Sequence, residues 1–204
     1  MIKKINRKEA ITKYPVLPLR EYNDVEEEYD FFYPKTFKSY ILTLSSKSFK
    51  GHIRLLGKEI VELMKALNSN SLLFLGDLDT PWLYRDHDHK QTKEALQFIA
   101  DNKIGKRFNG ALEIDLKGMP EFIRHLAWLV RTNGVLPYIH FTDPSANIIA
   151  NICHYGNLHL SAINKTTDKL LKEFIGESLF EYQQGNCYEK FLKTGAIAGR
   201  QMTT

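Results

Sequence analysis

The sequence predicts one α/β domain built on a doubly wound, largely parallel five-stranded sheet with helices on both faces. Five apolar runs of strand length alternate with five stretches of helical periodicity, and such alternation favours a parallel sheet covered by helices. The chain of 204 residues is 43% hydrophobic, which is enough to bury one good core. Right-handed crossovers between parallel strands leave doubly wound topologies as the commonest arrangement.

The predicted strands are apolar runs bounded by turn residues, and they cover residues 39–46, 71–76, 108–115, 138–142 and 158–163. The predicted helices carry apolar side chains at helical spacing, and they cover residues 53–67, 91–102, 120–134, 143–156 and 167–175. Pro120 suits the first turn of the third helix, and Gly134 suits its C-terminal end. Asp143 opens the fourth helix, and Thr167 or Asp168 caps the fifth.

The chain is predicted to carry an extension at each end of the domain. Residues 1–38 form an N-terminal extension, residues 39–182 the α/β domain, and residues 183–204 a C-terminal extension. The chain is expected to continue helically beyond Gly176 to about Leu192. The small residues of the final stretch, 195–204, predict a mobile tail.

The N-terminal extension contains an acidic stretch, residues 21–30, which is directly followed by Phe31, Phe32 and Tyr33. One interpretation is a strap that packs across the domain through its aromatic side chains. The other interpretation is a segment that binds a partner. Because single large apolar side chains usually end up buried, the sequence favours the strap.

The composition indicates a cytoplasmic protein that does not bind nucleic acid or membranes. The net charge is +4, but lysine and arginine are interleaved with acids rather than gathered into one basic face. No apolar window approaches the length of a membrane span, and the basic N-terminus lacks the apolar run of a signal peptide. Two cysteines, Cys153 and Cys187, are too few for a disulfide framework and indicate a reducing compartment.

Polar residues follow the predicted strands at the points where those strands end. Asp77 and Asp79 follow the second strand, Asp115 ends the third, Thr142 ends the fourth, and Lys165 follows the fifth. Ligands of an open parallel sheet bind beyond the carboxyl ends of its strands, so these side chains are expected to meet along one edge. The competing interpretation is that strands simply end at the surface, where polar residues are common.

Residues 93–174 resemble the receiver domain of bacterial response regulators. The resemblance rests on five short segments, which are Glu94-Ala95-Leu96, Asp115-Leu116-Lys117-Gly118-Met119-Pro120, Ile139-His140-Phe141-Thr142, Gly156 and Lys165. It implies that Asp115 accepts a phosphoryl group, that Thr142 senses it, and that Lys165 pairs with it. A carboxylate nucleophile needs such a cation as charge develops, and a hydroxyl can follow the phosphate oxygens.

The sequence departs from the receiver pattern where the family holds Mg²⁺. Ser45 and Ser46 stand where receiver domains carry two acidic residues after the first strand. Asp77 and Asp79 are poor substitutes, because in the receiver strand order they lie about 10 Å from Asp115. Without hard oxygen ligands the metal is poorly held, so the resemblance implies a degenerate receiver that has lost its phosphorylation cycle. A weaker likeness, to anti-sigma-antagonist domains, rests on the segment that begins at Asp115.

Other motifs offer weaker hypotheses. Asp77-Leu78-Asp79 resembles the paired aspartates of haloacid-dehalogenase-like phosphatases but lacks the residues that should follow them. The run Asp86-His87-Asp88-His89 could ligate a transition metal, yet adjacent residues rarely converge on one ion, so a solvated helix entry is favoured. Cys153 is interpreted as a buried thiol on an apolar helix face, and no Cys/His arrangement stands out.

The sequence therefore predicts a non-catalytic regulatory protein that acts through contacts with another protein and needs no cofactor. The alternative is an Mg²⁺-dependent phosphohydrolase or phosphoacceptor that uses carboxylates at the C-terminal edge of the sheet. Its residues would be Asp77, Asp79, Asp115 and Lys165. The missing acidic pair after the first strand favours the regulatory protein.

Overall fold

The computed structural model describes residues 1–83, 85–132, 136, 138–185 and 187–189. Within these residues the strands are β1 (Ile2–Ile5), β2 (Leu19–Asn23), β3 (Glu28–Phe32), β4 (Lys38–Leu44), β5 (Ser71–Leu75), β6 (Ala111–Asp115), β7 (His140–Thr142), β8 (Ile148–Ile152), β9 (Leu158–Ala162) and β10 (Phe180–Tyr182). The helices are α1 (Arg7–Lys13), α2 (Phe49–Ala66), α3 (Lys90–Asp101), α4 (Met119–Arg131) and α5 (Lys165–Glu177). The five predicted strands correspond to β4, β5, β6, β7 and β9, and four of the five predicted helices are confirmed.

The described strands form one large sheet and one separate hairpin. Eight of them lie in the order β1-β6-β5-β7-β8-β9-β4-β10, and β2 pairs with β3 alone. Every strand pairing that the structure describes is antiparallel. The prediction of a doubly wound, largely parallel five-stranded sheet is therefore wrong.

The prediction fails at the stretch expected to be the fourth helix, residues 143–156. That stretch instead turns the chain back after β7 and forms β8, which pairs with both β7 and β9. The strand Ile148–Ile152 is only five residues long and contains three isoleucines. A short β-branched run fits a buried strand as well as a helix, and both faces of this strand are largely buried.

A buried carboxylate shapes the turn between β7 and β8. Asp143 is only 1% exposed and accepts hydrogen bonds from three backbone N–H groups, those of Ser145, Asn147 and Ile148, at 3.2, 2.7 and 3.1 Å. The Asn147 side chain donates a fourth bond, at 2.9 Å. A side chain that binds its own following backbone stabilises a turn against a helix. Asp143 therefore reverses the chain where the sequence predicted a helix start.

The sheet is covered on both faces. Helices α2 to α5 pack on one face, over a core that includes Leu72, Phe74 and Phe141. The opposite face of β5 carries Leu73 and Leu75, which pack with residues of α1. Consecutive side chains of a strand point to opposite faces, so β5 is buried on both sides and lies in the interior of the molecule.

Helices α2 and α4 approach each other closely at Gly57. A Cβ atom at this position would lie 3.1 Å from the Cα and carbonyl oxygen of Pro120, in the first turn of α4. A larger residue would force the two helices apart. The amino end of α2 is capped by Ser48, whose Oγ accepts a hydrogen bond from the Gly51 N–H at 3.2 Å.

Both ends of the described chain contribute edge strands to the sheet. In residues 1–38, β1 pairs with β6 at one edge and α1 covers the sheet, while β2 and β3 form the hairpin. The predicted helical continuation beyond Gly176 is wrong, because α5 ends at Glu177 and the chain enters β10, which pairs with β4 at the other edge. The predicted mobile tail, residues 195–204, lies outside the described residues, as does Gly134.

We expect Asp143→Ala to lower the free energy of unfolding by about 3 kcal/mol, measured by urea denaturation. The substitution removes the acceptor of four hydrogen bonds and leaves buried N–H donors without a partner. Ser145→Ala, at an exposed position of the same turn, is the control and should change the stability by less than about 0.5 kcal/mol. Equal effects of the two substitutions would show that the carboxylate does not hold the turn.

Candidate functional site

The antiparallel sheet separates the polar residues that the sequence predicted to meet. Ser71, at the start of β5, pairs with Asp115, at the end of β6. The chain therefore leaves β5 toward Asp77 and Asp79 at the opposite end of the sheet from Asp115. These aspartates cannot share a metal ion with Asp115, because the length of a strand lies between them.

The strands before Asp115, Thr142 and Lys165 end on the same side of the sheet, but these three residues lie far apart across it. Strands β6, β7 and β9 run in the same direction, because one antiparallel strand separates each from the next. Each gap of two strand spacings is about 10 Å, so Asp115 and Lys165 are separated by about 19 Å. A single phosphoryl group cannot contact all three side chains.

The side chains of these three residues have partners within the chain or face solvent. The Oδ1 atom of Asp115 accepts hydrogen bonds from the Gly118 N–H at 2.8 Å, just before α4, and from the Met1 amino group at 2.6 Å. Thr142 is fully buried and donates its hydroxyl to the Ile148 carbonyl at 2.7 Å. Lys165 is exposed in the first turn of α5, where Asn164 caps the helix. Each side chain is thus accounted for by a contact within the chain or by solvent.

Asp77 is the most perturbed carboxylate of the predicted set. Burial raises its pKa from an ordinary value near 3.8 to about 6, against the opposing effects of Arg20 and Arg7. Arg20 lies 3.8 Å from Asp77, and Arg7 donates to the neighbouring Gly76 carbonyl at 2.7 Å. Asp79 is exposed. Asp77 therefore belongs to the contact between the β2–β3 hairpin and the rest of the protein.

The β2–β3 hairpin presents aromatic side chains to solvent. Phe31 is 67% exposed, and the least exposed of the group are still at 44%. We call these five side chains the aromatic surface; its members are Tyr22, Tyr29, Phe31, Phe32 and Tyr33. Exposed apolar groups of this size are uncommon unless they mark an interaction site. Their exposure favours the partner-binding interpretation of this segment over the packed strap.

Arg20 anchors the hairpin to the domain. Its guanidinium group lies 3.7 Å from the centre of the Tyr29 ring and 4.4 Å from that of Tyr138, and it faces the Asp77 carboxylate. Register explains the arrangement, because Arg20 pairs with Phe31 and Tyr22 pairs with Tyr29 on the same face of the hairpin. A cation between two rings and a carboxylate holds the base of the hairpin in place.

The hairpin is also strongly acidic, although the whole chain has a net charge of +4. Its exposed acids lie in the turn and along β3, and they are Asp24, Glu26, Glu27, Glu28 and Asp30. In the described register, Asp30 and Glu28 point to the face opposite Tyr29 and Phe31. The hairpin thus combines ring faces with a concentrated negative potential, which attracts cationic groups.

Sequence reasoning missed the hairpin and the role of Arg20. A signal was present, because residues 28–31 alternate in polarity and follow a turn that begins with Asn23-Asp24. The Asn23 side chain accepts hydrogen bonds from the N–H groups of Val25 and Glu26, as expected for such a turn. The run of acids obscured this alternation, since acidic residues are poor strand formers.

Comparison with protein-family models, with curated proteins and with solved structures finds no significant match to this chain. The resemblance to receiver domains therefore stays a prediction, and its implied parallel sheet is wrong. Within the part of the chain that the structure describes, the helices lack the combination of length and apolarity needed to cross a bilayer.

We expect Asp77→Asn to change how stability depends on pH between about 4 and 6. In the wild type, the raised pKa means that the folded protein binds a proton at Asp77 more readily than the unfolded chain. Ionisation of Asp77 therefore costs stability as the pH rises through this window, by up to about 3 kcal/mol, and the asparagine variant lacks that cost.

Urea denaturation at a series of pH values tests the expectation about Asp77. The stability of the variant should rise relative to that of the wild type between pH 4 and 6, and then stay level above pH 6. Asp79→Asn is the control, because Asp79 is exposed on the same loop. It should keep the fall in stability between pH 4 and 6, shifted only slightly to lower pH, because the Asp79 charge makes the smallest contribution to the Asp77 pKa. Parallel profiles for Asp77→Asn and the wild type would contradict a buried, titrating Asp77.

Proposed function

We propose that this protein is a non-catalytic regulatory protein that binds another protein through the β2–β3 hairpin. The supporting observation is the aromatic surface, a group of five exposed rings on one short element. Aromatic side chains are enriched at the centres of protein interfaces and supply most of their binding energy. Exposed apolar groups that lie together in this way are uncommon on a domain that only needs a stable core.

The charge of the hairpin indicates a partner segment that is rich in arginine or lysine. The hairpin carries five exposed acids as well as its exposed rings, and the faces of aromatic rings attract cations. Arg20 provides an internal example of this recognition, because its guanidinium already lies against Tyr29 and Tyr138. An arginine of a partner would meet a ring and carboxylates together on the face of β3 that carries Glu28, Asp30 and Phe32.

The phosphoryl-transfer alternative receives less support from the geometry. Asp115 and Lys165 lie about 19 Å apart, and Thr142 is buried between them. A transferred phosphoryl group needs its nucleophile and its cation within a few ångströms of each other. With free thiols at both cysteines, we further propose a cytoplasmic location, where such thiols stay reduced.

Selection from a random peptide display library tests the proposed partner chemistry directly. Peptides selected on the wild-type protein should be rich in arginine and lysine, and their binding should weaken as salt is added. Two hairpin variants should each reduce the affinity by about tenfold or more, measured by fluorescence anisotropy. One replaces the aromatic pair, Phe31→Ser with Phe32→Ser, and the other reverses charge, Glu26→Lys with Glu27→Lys.

Matched control variants lie far from the hairpin. Leu179→Ser removes an exposed apolar side chain before β10, and Glu177→Lys reverses an exposed charge at the end of α5. Both should bind the selected peptides as the wild type does. Peptides that are acidic, or that bind the hairpin variants unchanged, would overturn the proposal. Self-association that the hairpin variants abolish would assign the surface to a second copy and would also overturn the basic partner.

A further inference from the structure

Two cysteines and a histidine converge beside the turn that joins β8 to β9. Cys153 directly follows β8, His159 lies in β9, and Cys187 follows β10. The two sulfur atoms are 3.5 Å apart, and one ligand atom from each of the three residues lies within 4.8 Å of the other two. The cluster contains both cysteines of the chain and one of its seven histidines.

The separation of the sulfur atoms fits a metal site better than a disulfide. Two thiolates bound to one tetrahedral Zn²⁺ at about 2.3 Å are about 3.8 Å apart. A disulfide bond requires about 2.05 Å. The observed distance of 3.5 Å between the two sulfur atoms is close to this tetrahedral separation. A small movement of the two side chains would therefore make room for the ion.

His159 supplies an independent observation that points to a ligand. Its Nε2 atom is buried, and it has no hydrogen-bond partner among the atoms that the structure describes. A buried polar nitrogen without a partner costs free energy, so such groups are rare and call for a physical explanation. Coordination by an imidazole nitrogen would satisfy the ring where hydrogen bonds do not.

The surroundings of Cys187 include an amide group that contacts its sulfur atom. The amide nitrogen of Asn157 lies 3.2 Å from the Cys187 sulfur and 2.9 Å from the Tyr188 carbonyl. Donors of this kind orient a metal ligand and tune its charge.

The segment that carries Cys187 is held against the β8–β9 turn by further contacts. Arg131, at the end of α4, pairs with Glu189 at 2.7 Å, and both side chains are largely buried. The same guanidinium lies 4.2 Å from the centre of the Phe49 ring. Cys187 is thus fixed on both sides, by Asn157 and by Glu189, at the distance that the site needs.

We infer that Cys153, His159 and Cys187 form a binding site for a borderline-soft divalent ion, with Zn²⁺ as the best match. Two sulfurs and one imidazole nitrogen suit zinc, whereas Mg²⁺ and Ca²⁺ require oxygen ligands. Three protein ligands leave a fourth coordination position for water or an incoming group. The bound ion would join the segment after β10 to the β8–β9 turn. This site is independent of the hairpin and of the function proposed for it.

Titration of the reduced, full-length protein with Co²⁺ and Zn²⁺ tests the site. One Co²⁺ per chain should produce sulfur-to-metal charge-transfer absorption and the intense visible bands of tetrahedral cobalt, and Zn²⁺ should displace it. Zn²⁺ should also protect both cysteines from alkylation by iodoacetamide, as read by mass spectrometry. Cys187→Ser should lower the Zn²⁺ affinity by more than about a hundredfold, beyond the loss expected for a residue that only orients a ligand.

Three further variants separate the proposed ligands from their neighbours. His159→Gln should remove the tetrahedral spectrum, and Asn157→Ala should keep it while reducing the affinity by about 10- to 100-fold. His87→Asn, in the Asp86–His89 run, is the matched histidine control and should bind like the wild type. Circular dichroism shows whether each variant is folded.

Several outcomes would overturn the zinc site. One is the absence of sulfur-to-cobalt charge transfer in the reduced wild-type protein. Another is Zn²⁺ affinity that is the same in Cys187→Ser and in the wild type. A third is a protein that does not bind Zn²⁺ but whose mass falls by two hydrogens on mild oxidation. That loss would show that Cys153 and Cys187 form a disulfide instead.

Discussion

The reversal of the chain at Asp143 is the constraint on which the rest of the arrangement depends. A buried carboxylate satisfies three backbone N–H groups and one side-chain amide, so the residues after it cannot begin a helix. The chain returns as β8 and then runs back again as β9. This double reversal makes the sheet a meander at its centre and places β8 between β7 and β9.

That reversal is one reason why the polar ends of the strands do not form a phosphoryl site, and the position of β5 between β6 and β7 is the other. Parallel neighbours would have brought Asp115, Thr142 and Lys165 to adjacent strand ends. The intervening strands β5 and β8 double each separation, so the three residues lie along one edge without sharing a cleft. The same β8–β9 hairpin carries Cys153 and His159 to opposite sides of its turn, where Cys187 meets them.

Much of the local structure could be predicted from the sequence, because it depends on short-range periodicity. The stripe of Ile53, Leu56 and Ile60 requires a helix wherever it packs, and α2 forms there. The run Ile148–Ile152 carries no such information, since a β-branched strand buried on both faces and a short helix share the same apolar pattern. Sheet order is less accessible still, because it depends on pairings between strands that are distant in the chain, such as β4 with β9 and β10.

The two candidate sites were not found from the sequence, for two different physical reasons. The hairpin was hidden by composition, because its acids lower strand propensity even though Arg20 and Tyr29 provide a stable base. The Cys–His cluster was hidden by distance, because 34 residues separate Cys153 from Cys187 and no local motif joins them. Ligands that are so far apart in the chain meet only after the strands of the sheet have paired. An ion bound there would therefore bind to the folded protein and would not nucleate its folding. The hairpin and the cluster thus occupy separate elements, so the proposed partner and the proposed metal ion would not compete for the same side chains.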